Sequence, residues 1–167
     1  MLTLEQARKI VSERLANSNF SDIDSLIILD DFTIEKPYAW IFSYTSKLWH
    51  ETKDTKYLIA GNSPIIIDKQ TGNQTSYPSG YNLEEIIEQY EEEQNIWNLV
   101  LFESNRNNQK ILLLKNKMNL SYNDLINIKK NNFFCIEKGS ELRLTSLQTE
   151  LLNIGIKAEL RLSPERN

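Results

Sequence analysis

Apolar residues along the chain switch between helical spacing and a two-residue alternation, and the switches delimit its elements. Leu4, Ala7, Val11 and Leu15, with Ile10 beside them, keep helical spacing behind the capping-box pattern Thr3-Leu4-Glu5-Gln6, which predicts an amphipathic helix over 3–17 ended by Asn17-Ser18-Asn19. Ser25 to Leu29 reads as a short apolar strand, and Asp30-Asp31 with Thr33 to Pro37 as a turn region. Tyr38 to Tyr44, aromatic and β-branched, gives the strongest strand signal, with Tyr38, Trp40, Phe42 and Tyr44 on one face and Ala39, Ile41 and Ser43 on the other. Tyr57 to Ala60 and Pro64 to Asp68 read as strand-like segments, and Thr75 to Tyr77 as a last short strand. Ile65, Ile66 and Ile67 are branched at Cβ and favour an extended backbone, while Asp68-Lys69-Gln70-Thr71-Gly72 suits a tight turn, so Ala60 to Gly72 is expected to be the core of a hairpin. Asn82-Leu83-Glu84-Glu85 then opens a helix with Leu83, Ile86, Ile87 and Tyr90 on its apolar face.

Beyond Gln94-Asn95 the pattern restarts. Trp97 to Phe102 alternates as a strand, Asn105 to Asn108 forms a turn, and Gln109 to Met118 follows as a helix with Ile111 and Leu114 inward. Ser121 caps a helix reaching Lys130 with Leu125 and Ile128 inward, and Phe133 to Ile136 is a strand. Ser140 caps a last helix through Leu144, Leu147, Leu151 and Ile154, Gly155 stands where a glycine stop belongs, and Ile156 to Leu162 alternates as the final strand. The fold class is therefore α+β: an N-terminal helix, an antiparallel sheet of four or five strands and a helix over residues 1–93, then a small β-α-α-β-α-β domain over residues 96–163 with its helices on one face of a three-stranded sheet.

Composition sharpens the division. Residues 1–94 carry 8 Lys and Arg against 16 Asp and Glu, a net −8, whereas residues 95–167 carry 11 against 7, a net +4. A mean hydropathy of −0.46, no apolar run near the ~20 residues needed to span a bilayer, and an N-terminus without signal-peptide regions point to a cytoplasmic protein. The single cysteine, Cys135, excludes internal disulfides and multi-cysteine metal sites.

Two resemblances follow from particular residues. Thr33-Ile34-Glu35, Tyr38 to Phe42, the run Ala60 to Gly72 and the acidic Leu83-Glu84-Glu85 helix resemble the immunity protein 35 family, which includes the YrhB-like proteins. That resemblance implies a non-enzymatic bacterial immunity protein from a polymorphic-toxin system, whose partner is a cognate toxin neutralised by protein–protein occlusion. In the second half, Ile111, Leu114, Lys115, Leu120, Leu125, Ile128, Ser140, Leu147, Leu151 and Gly155 look like the C-terminal domain of the bacterial ribosomal stalk protein, with Ile156 to Leu162 as its last strand. The factor-docking run Gly-Leu-Gly-Leu-Lys-Glu-Ala-Lys of that family is Asn119 to Ile126 here, with one of eight positions kept, so this resemblance implies the fold more than the job. The alternative function is a chaperone-like or adaptor module docking on clients or on translation machinery.

Candidate chemistry is sparse. His50 is the one histidine and lies beside no evident nucleophile, and Cys135, between Phe134 and Ile136, reads as a small buried hydrophobe. No EF-hand, dinucleotide or Walker spacing is present, so no cofactor and no metal are expected. The basic residues of the second half are dispersed without an aromatic stripe, which argues against nucleic acid as a partner. What remains is a partner-binding surface. Trp40 and Trp97 belong to strand cores, whereas Trp49 and Tyr57 stand near loops as candidate anchors. Asp30, Asp31, Glu84, Glu85, Glu88, Glu91 and Glu92 are candidates for an anionic patch meeting a basic toxin surface, and the plain alternative for the glutamates is a solvated helix face.

Overall fold

A computed structural model describes residues 1–18, 20–101, 107–131 and 134–163; the expectations placed on Asn19, Phe102, Asn105, Arg106 and Phe133 lie outside the described residues. The chain forms two compact units, Met1–Ile86 and Ile87–Asn167.

In the first unit, α1 (Leu4–Ala16) begins as its capping box requires: the Gln6 N–H donates to the Thr3 hydroxyl at 3.3 Å, and the Thr3 N–H donates to Gln6 Oε1 at 2.9 Å. Six strands follow, β1 (Leu26–Ile28), β2 (Ile34–Glu35), β3 (Ala39–Phe42), β4 (Tyr44–Ser46), β5 (Ile65–Asp68) and β6 (Gln74–Thr75). They make an antiparallel sheet in the order β2-β3-β5-β6 and a separate β1-β4 pair. Ala7, Val11 and Leu15 of α1 pack with Phe42, Ile65 and Ile67, and Trp40, Tyr44, Leu26 and Ile28 border that cluster. The face assigned to Trp40, Phe42 and Tyr44 is thus the one that α1 covers.

Four expectations change. The run from Tyr38 to Tyr44 is not one strand: the chain leaves the larger sheet at Ser43, and Tyr44 pairs with Ile28 of β1, an exchange of partners that period-2 alternation does not disclose. The turn region after Asp30 is a 3₁₀ turn over Asp30–Phe32 followed by β2, whose Ile34 sits opposite Ile41. Trp49, expected near a loop, lies in a short helix, α2 (Lys47–Thr52), with Ser46 as N-cap. Tyr57 closes a 3₁₀ turn, Thr55–Tyr57, and residues 58–60 form no strand.

The β5-β6 hairpin is present, and its turn is held from within. The buried Asp68 carboxylate accepts the Gln70 and Thr71 N–H groups, both at 2.9 Å, and the Gly72 N–H donates to the Asp68 carbonyl at 2.9 Å with Gly72 at φ +75°. Lys69 then ties the turn to the N-terminus. Its N–H donates to the Tyr38 carbonyl at 2.9 Å, its carbonyl accepts from Leu2 N–H at 2.6 Å, and the Trp40 indole donates to the Leu2 carbonyl at 3.1 Å. The Lys69 side chain is only 7% exposed; its Nζ lies 4.2 Å from the Trp40 ring centroid and 2.7 Å from Glu35 Oε1.

α3 (Leu83–Glu93) spans the division between the units and starts on an Asn82 box, with the Glu85 N–H on Asn82 Oδ1 at 3.0 Å and the Asn82 N–H on Glu85 Oε2 at 2.8 Å. Ile86 and Tyr90 are buried as expected, but Leu83 at the helix start is exposed.

The second unit has the expected order, β7 (Trp97–Leu101), α4 (Asn108–Met118), α5 (Tyr122–Lys130), β8 (Phe134–Gly139), α6 (Glu141–Asn153) and β9 (Ala158–Leu162), with β7 central and antiparallel to both neighbours. Leu99 and Leu101 of β7, Ile136, Ile111, Leu114, Ile128, Leu144, Leu151, Ile156 and Ala158 form one core. A bulge at Leu99/Val100 puts Cys135 opposite Val100 and Glu137 opposite Leu99, leaving Ile136 as the extra residue. Ile154, expected inside the last helix's stripe, is its exposed C-cap, and Gly155 takes φ +77°.

Two comparisons test this packing. Gly139→Ala, at φ +150°, would drive a Cβ into the Arg143 guanidinium and the Glu92 carboxylate, whereas Gly155 faces open space, so denaturant titration is expected to show a loss of about 2 to 3 kcal/mol for Gly139→Ala and about 1 kcal/mol for Gly155→Ala. Lys69→Ala removes a buried stem and a ring contact and is expected to cost about 1 to 2 kcal/mol, and Glu35→Ala, which leaves the buried Lys69 ammonium with the Trp40 ring alone, is expected to cost about 1 kcal/mol.

Candidate functional site

The first unit carries neighbouring grooves built on short, well-capped turns. Asp24 joins the segment after α1 to the start of α2: its carboxylate accepts the Ser25 N–H at 2.8 Å, the Leu48 N–H at 3.1 Å and the Ser46 hydroxyl. The Ser46 hydroxyl in turn accepts the Trp49 N–H at 3.0 Å. α2 stops where Lys53 enters the left-handed region at φ 58° and donates its N–H to the Trp49 carbonyl at 2.9 Å. Asp54 then caps the 3₁₀ turn, accepting the Lys56 N–H at 3.1 Å, while Lys56 Nζ lies 3.0 Å from the same carboxylate and 4.6 Å from the Tyr57 ring centroid.

These caps hold apolar side chains at the surface. A groove of about 550 Å³ runs between Phe20, Ile23 and Asp24 on one side and Tyr57, Leu58 and Ile59 on the other. A second, of about 310 Å³, is lined by Phe32, Trp49, Leu58, Ile59 and Asn62, so Leu58 and Ile59 border both. The Asn62 side-chain amide donates to the Tyr44 carbonyl and fixes the far wall.

Trp49 and Tyr57 therefore line adjoining grooves, both half-buried, and Asp31 adjoins Phe32. Asp30 is engaged: Arg8 donates through Nε and Nη2 to its two oxygens at 2.8 and 2.9 Å, and this bidentate contact holds the Asp30 carboxyl below the usual carboxylate range. The glutamates of α3 line neither groove. Glu84 and Glu85 are exposed in its first turn, Glu85 serving the Asn82 box, and Glu88 is half-buried. Glu91 and Glu92 are committed to α6. Glu91 is 2% exposed and accepts the Glu141 N–H at 2.7 Å; Glu92 accepts the Ser140 N–H at 2.8 Å and meets Arg143 at 2.8 Å. Two carboxylates at a helix N-terminus satisfy free N–H groups and oppose the positive end of the dipole. Phe20, Ile23, Phe32 and Leu58 were not legible as surface groups, because apolar residues in short segments read as core.

The remaining chemistry is plain. His50 is exposed in the last turn of α2. The Cys135 thiol is half-buried and donates to the Glu137 carbonyl at 3.2 Å, and burial pushes it up, away from the reactive thiolate. Among the described residues no group of three or more His, Cys, Asp or Glu is placed to hold a metal ion, and no helix is long and apolar enough to cross a membrane.

The model of a family described as "Immunity protein 35" matches residues 5–93. The chain belongs to the immunity protein 35 family. An Escherichia coli (strain K12) protein described as "Uncharacterized protein YrhB" is 32% identical over 78 residues, 46% of this chain and 80% of the relative. No solved structure matches, and the stalk-like pattern of the second half receives no support from these comparisons. Within the family region, the run Ala60 to Gly72 supplies β5 and the turn that anchors Leu2, a structural use of every polar residue from Asp68 to Gly72 except Gln70, whose backbone N–H alone is engaged.

The α3–α6 contact gives a pH test. Arg143, and next the Ser140 N–H, lower the Glu92 pKa below its ordinary value of 4.5. A carboxylate depressed by folding adds stability that is complete above its unfolded pKa and is lost as pH falls through its folded pKa. Glu92→Gln is therefore expected to be less stable than wild type by about 1 kcal/mol at pH 7, with the gap closing below pH 4.5, as followed by urea denaturation across that range.

Proposed function

We propose that this immunity protein binds a cognate bacterial toxin in the cytoplasm and neutralises it by occlusion, without chemistry of its own. The observation that carries the reading is the family match across residues 5–93, which contains all of the first unit's strands and both grooves. Interfaces of this kind are dominated by a few aromatic and aliphatic anchors seated away from water, with charge setting encounter rate and partner choice. Trp49, Tyr57 and the carboxylate Asp31 fit those roles, and the excess of acidic residues before Asn95 favours a toxin with a basic surface. The second unit extends the interface or docks separately.

Co-expression with each toxin domain encoded beside this chain's gene tests the reading. Growth restored to the uninduced level by one such pair, together with a stoichiometric complex on gel filtration, is the expected outcome. Failure to bind or rescue against every neighbour would remove it, and association with ribosomes or many clients would favour an adaptor.

A further inference from the structure

Part of the charge that the sequence concentrates in α3 is engaged within the fold. Of the six α3 glutamates, Glu85 closes the helix's own capping box, Glu91 and Glu92 hold the start of α6, and Glu93 accepts from the Gln89 amide at 2.9 Å. In the first unit, Ile23 is 75% exposed, Phe32 65% and Leu58 51%, and these three side chains border the two grooves that share Leu58. Large apolar side chains gathered this far into water at adjoining grooves mark a surface meant to be covered.

The chain beside two of these apolar residues is acidic. Asp22, next to Ile23, and Asp31, next to Phe32, form no ion pair among the described residues. The lysines beside the groove residues Tyr57 and Trp49 have contacts of their own. Lys56 is paired with Asp54 at 3.0 Å, and Lys53 lies 4.8 Å from the Trp49 ring centroid. An incoming carboxylate would meet Asp22 and Asp31 unscreened, whereas an incoming Lys or Arg would neutralise them at little cost in existing contacts.

We propose that the paired grooves bounded by Phe20, Ile23, Phe32, Trp49, Tyr57 and Leu58 are the recognition face of this chain, and that their occupant is a basic protein surface presenting an apolar side chain flanked by Lys or Arg. This deepens the immunity reading and rests on it for the identity of that protein as a toxin. The acidic α3 is a structural element under the proposal.

The experiment has two arms. In the first, a toxin domain neutralised by the wild-type chain is titrated calorimetrically. The Ile23→Glu/Leu58→Glu variant is expected to bind about 100-fold more weakly and Asp22→Lys/Asp31→Lys about 10-fold, while Glu84→Lys/Glu88→Lys stays within about 3-fold. All six positions are exposed or half-buried, and near-ultraviolet circular dichroism verifies that each variant is folded. Loss in the α3 variant with retention in the groove variants would overturn the proposal. The second arm needs no toxin: amide NMR shifts of the full chain are followed with the tripeptides Lys-Trp-Lys and Glu-Trp-Glu. Shifts at residues 20–24 and 56–59 that are about threefold larger with the basic peptide, and absent in Ile23→Glu/Leu58→Glu, support the groove. Shifts confined to α3, or equal for both peptides, refute it. If no neighbouring toxin binds wild type, the immunity reading falls and the peptide arm alone decides the groove. A concentration-dependent dimer abolished by Ile23→Glu would instead place a second copy on this face and overturn the assignment of a basic partner.

Discussion

Lys69, buried between the ring of Trp40 and the carboxylate of Glu35, is the contact on which the first unit depends. A lysine taken out of water needs a partner and an apolar bed for its stem, and this one has both. Its backbone is committed as well, to Tyr38 on one side and Leu2 on the other, so the turn after β5, the start of β3 and the residues leading into α1 meet at one point. α1 can then place Ala7, Val11 and Leu15 against Phe42, Ile65 and Ile67, because Leu2 fixes where the helix begins. The neighbouring Asp68 removes the remaining freedom by closing the turn with its own side chain. The most distinctive polar residues of the family region thus do structural work.

The second unit is organised by the same device with the opposite charge. Gly139 lets the chain turn under Arg143, and the two carboxylates Glu91 and Glu92 meet the N–H groups at the start of α6. Six glutamates within Leu83–Glu93 look like an exposed anionic stripe, yet the last turn of the helix spends its charge on capping another helix. Counted to residue 86, the first unit has 8 basic and 12 acidic residues, a net −4 rather than the −8 counted to residue 94. Half of the net −8 counted to residue 94 therefore comes from Glu88, Glu91, Glu92 and Glu93, and Glu91 and Glu92 hold the start of α6.

The parts of this fold legible in the sequence are those that local chemistry decides. Thr3, Ser121 and Ser140 cap helices where their patterns place them, and Gly155 adopts the positive φ that its position implies. The illegible parts depend on partners distant in the chain. Nothing near Ser43 signals that β3 and β4 belong to different sheets, because alternation continues across the break. α2 was hidden because Lys47 to Thr52 is one short turn-and-a-half whose aromatic residue suits a strand equally well, and its start is decided by Asp24, more than twenty residues earlier. The grooves were illegible for a related reason. Whether Ile23 or Leu58 is core or surface is set by the tertiary position of a loop, and an apolar residue in a short segment is read as buried by default.

That default reading bears on how such a surface can work. Side chains that flank a partner site usually cost conformational entropy when ordered, and long acidic side chains cost most. Here the walls are already ordered: Asp24 pins one bank, Asp54 caps the other, and Asn62 closes the end. Short aspartates lose little further freedom on meeting a cation, whereas the longer glutamates of an open helix face would lose more. A partner that fills these grooves thus meets a preorganised apolar bed with aspartates beside it in the chain, an arrangement in which burial sets the lifetime of the complex and charge sets the rate of encounter. An equal number of carboxylates spread along α3 would offer steering without a place to stay, which is the physical reason to look for recognition at the grooves.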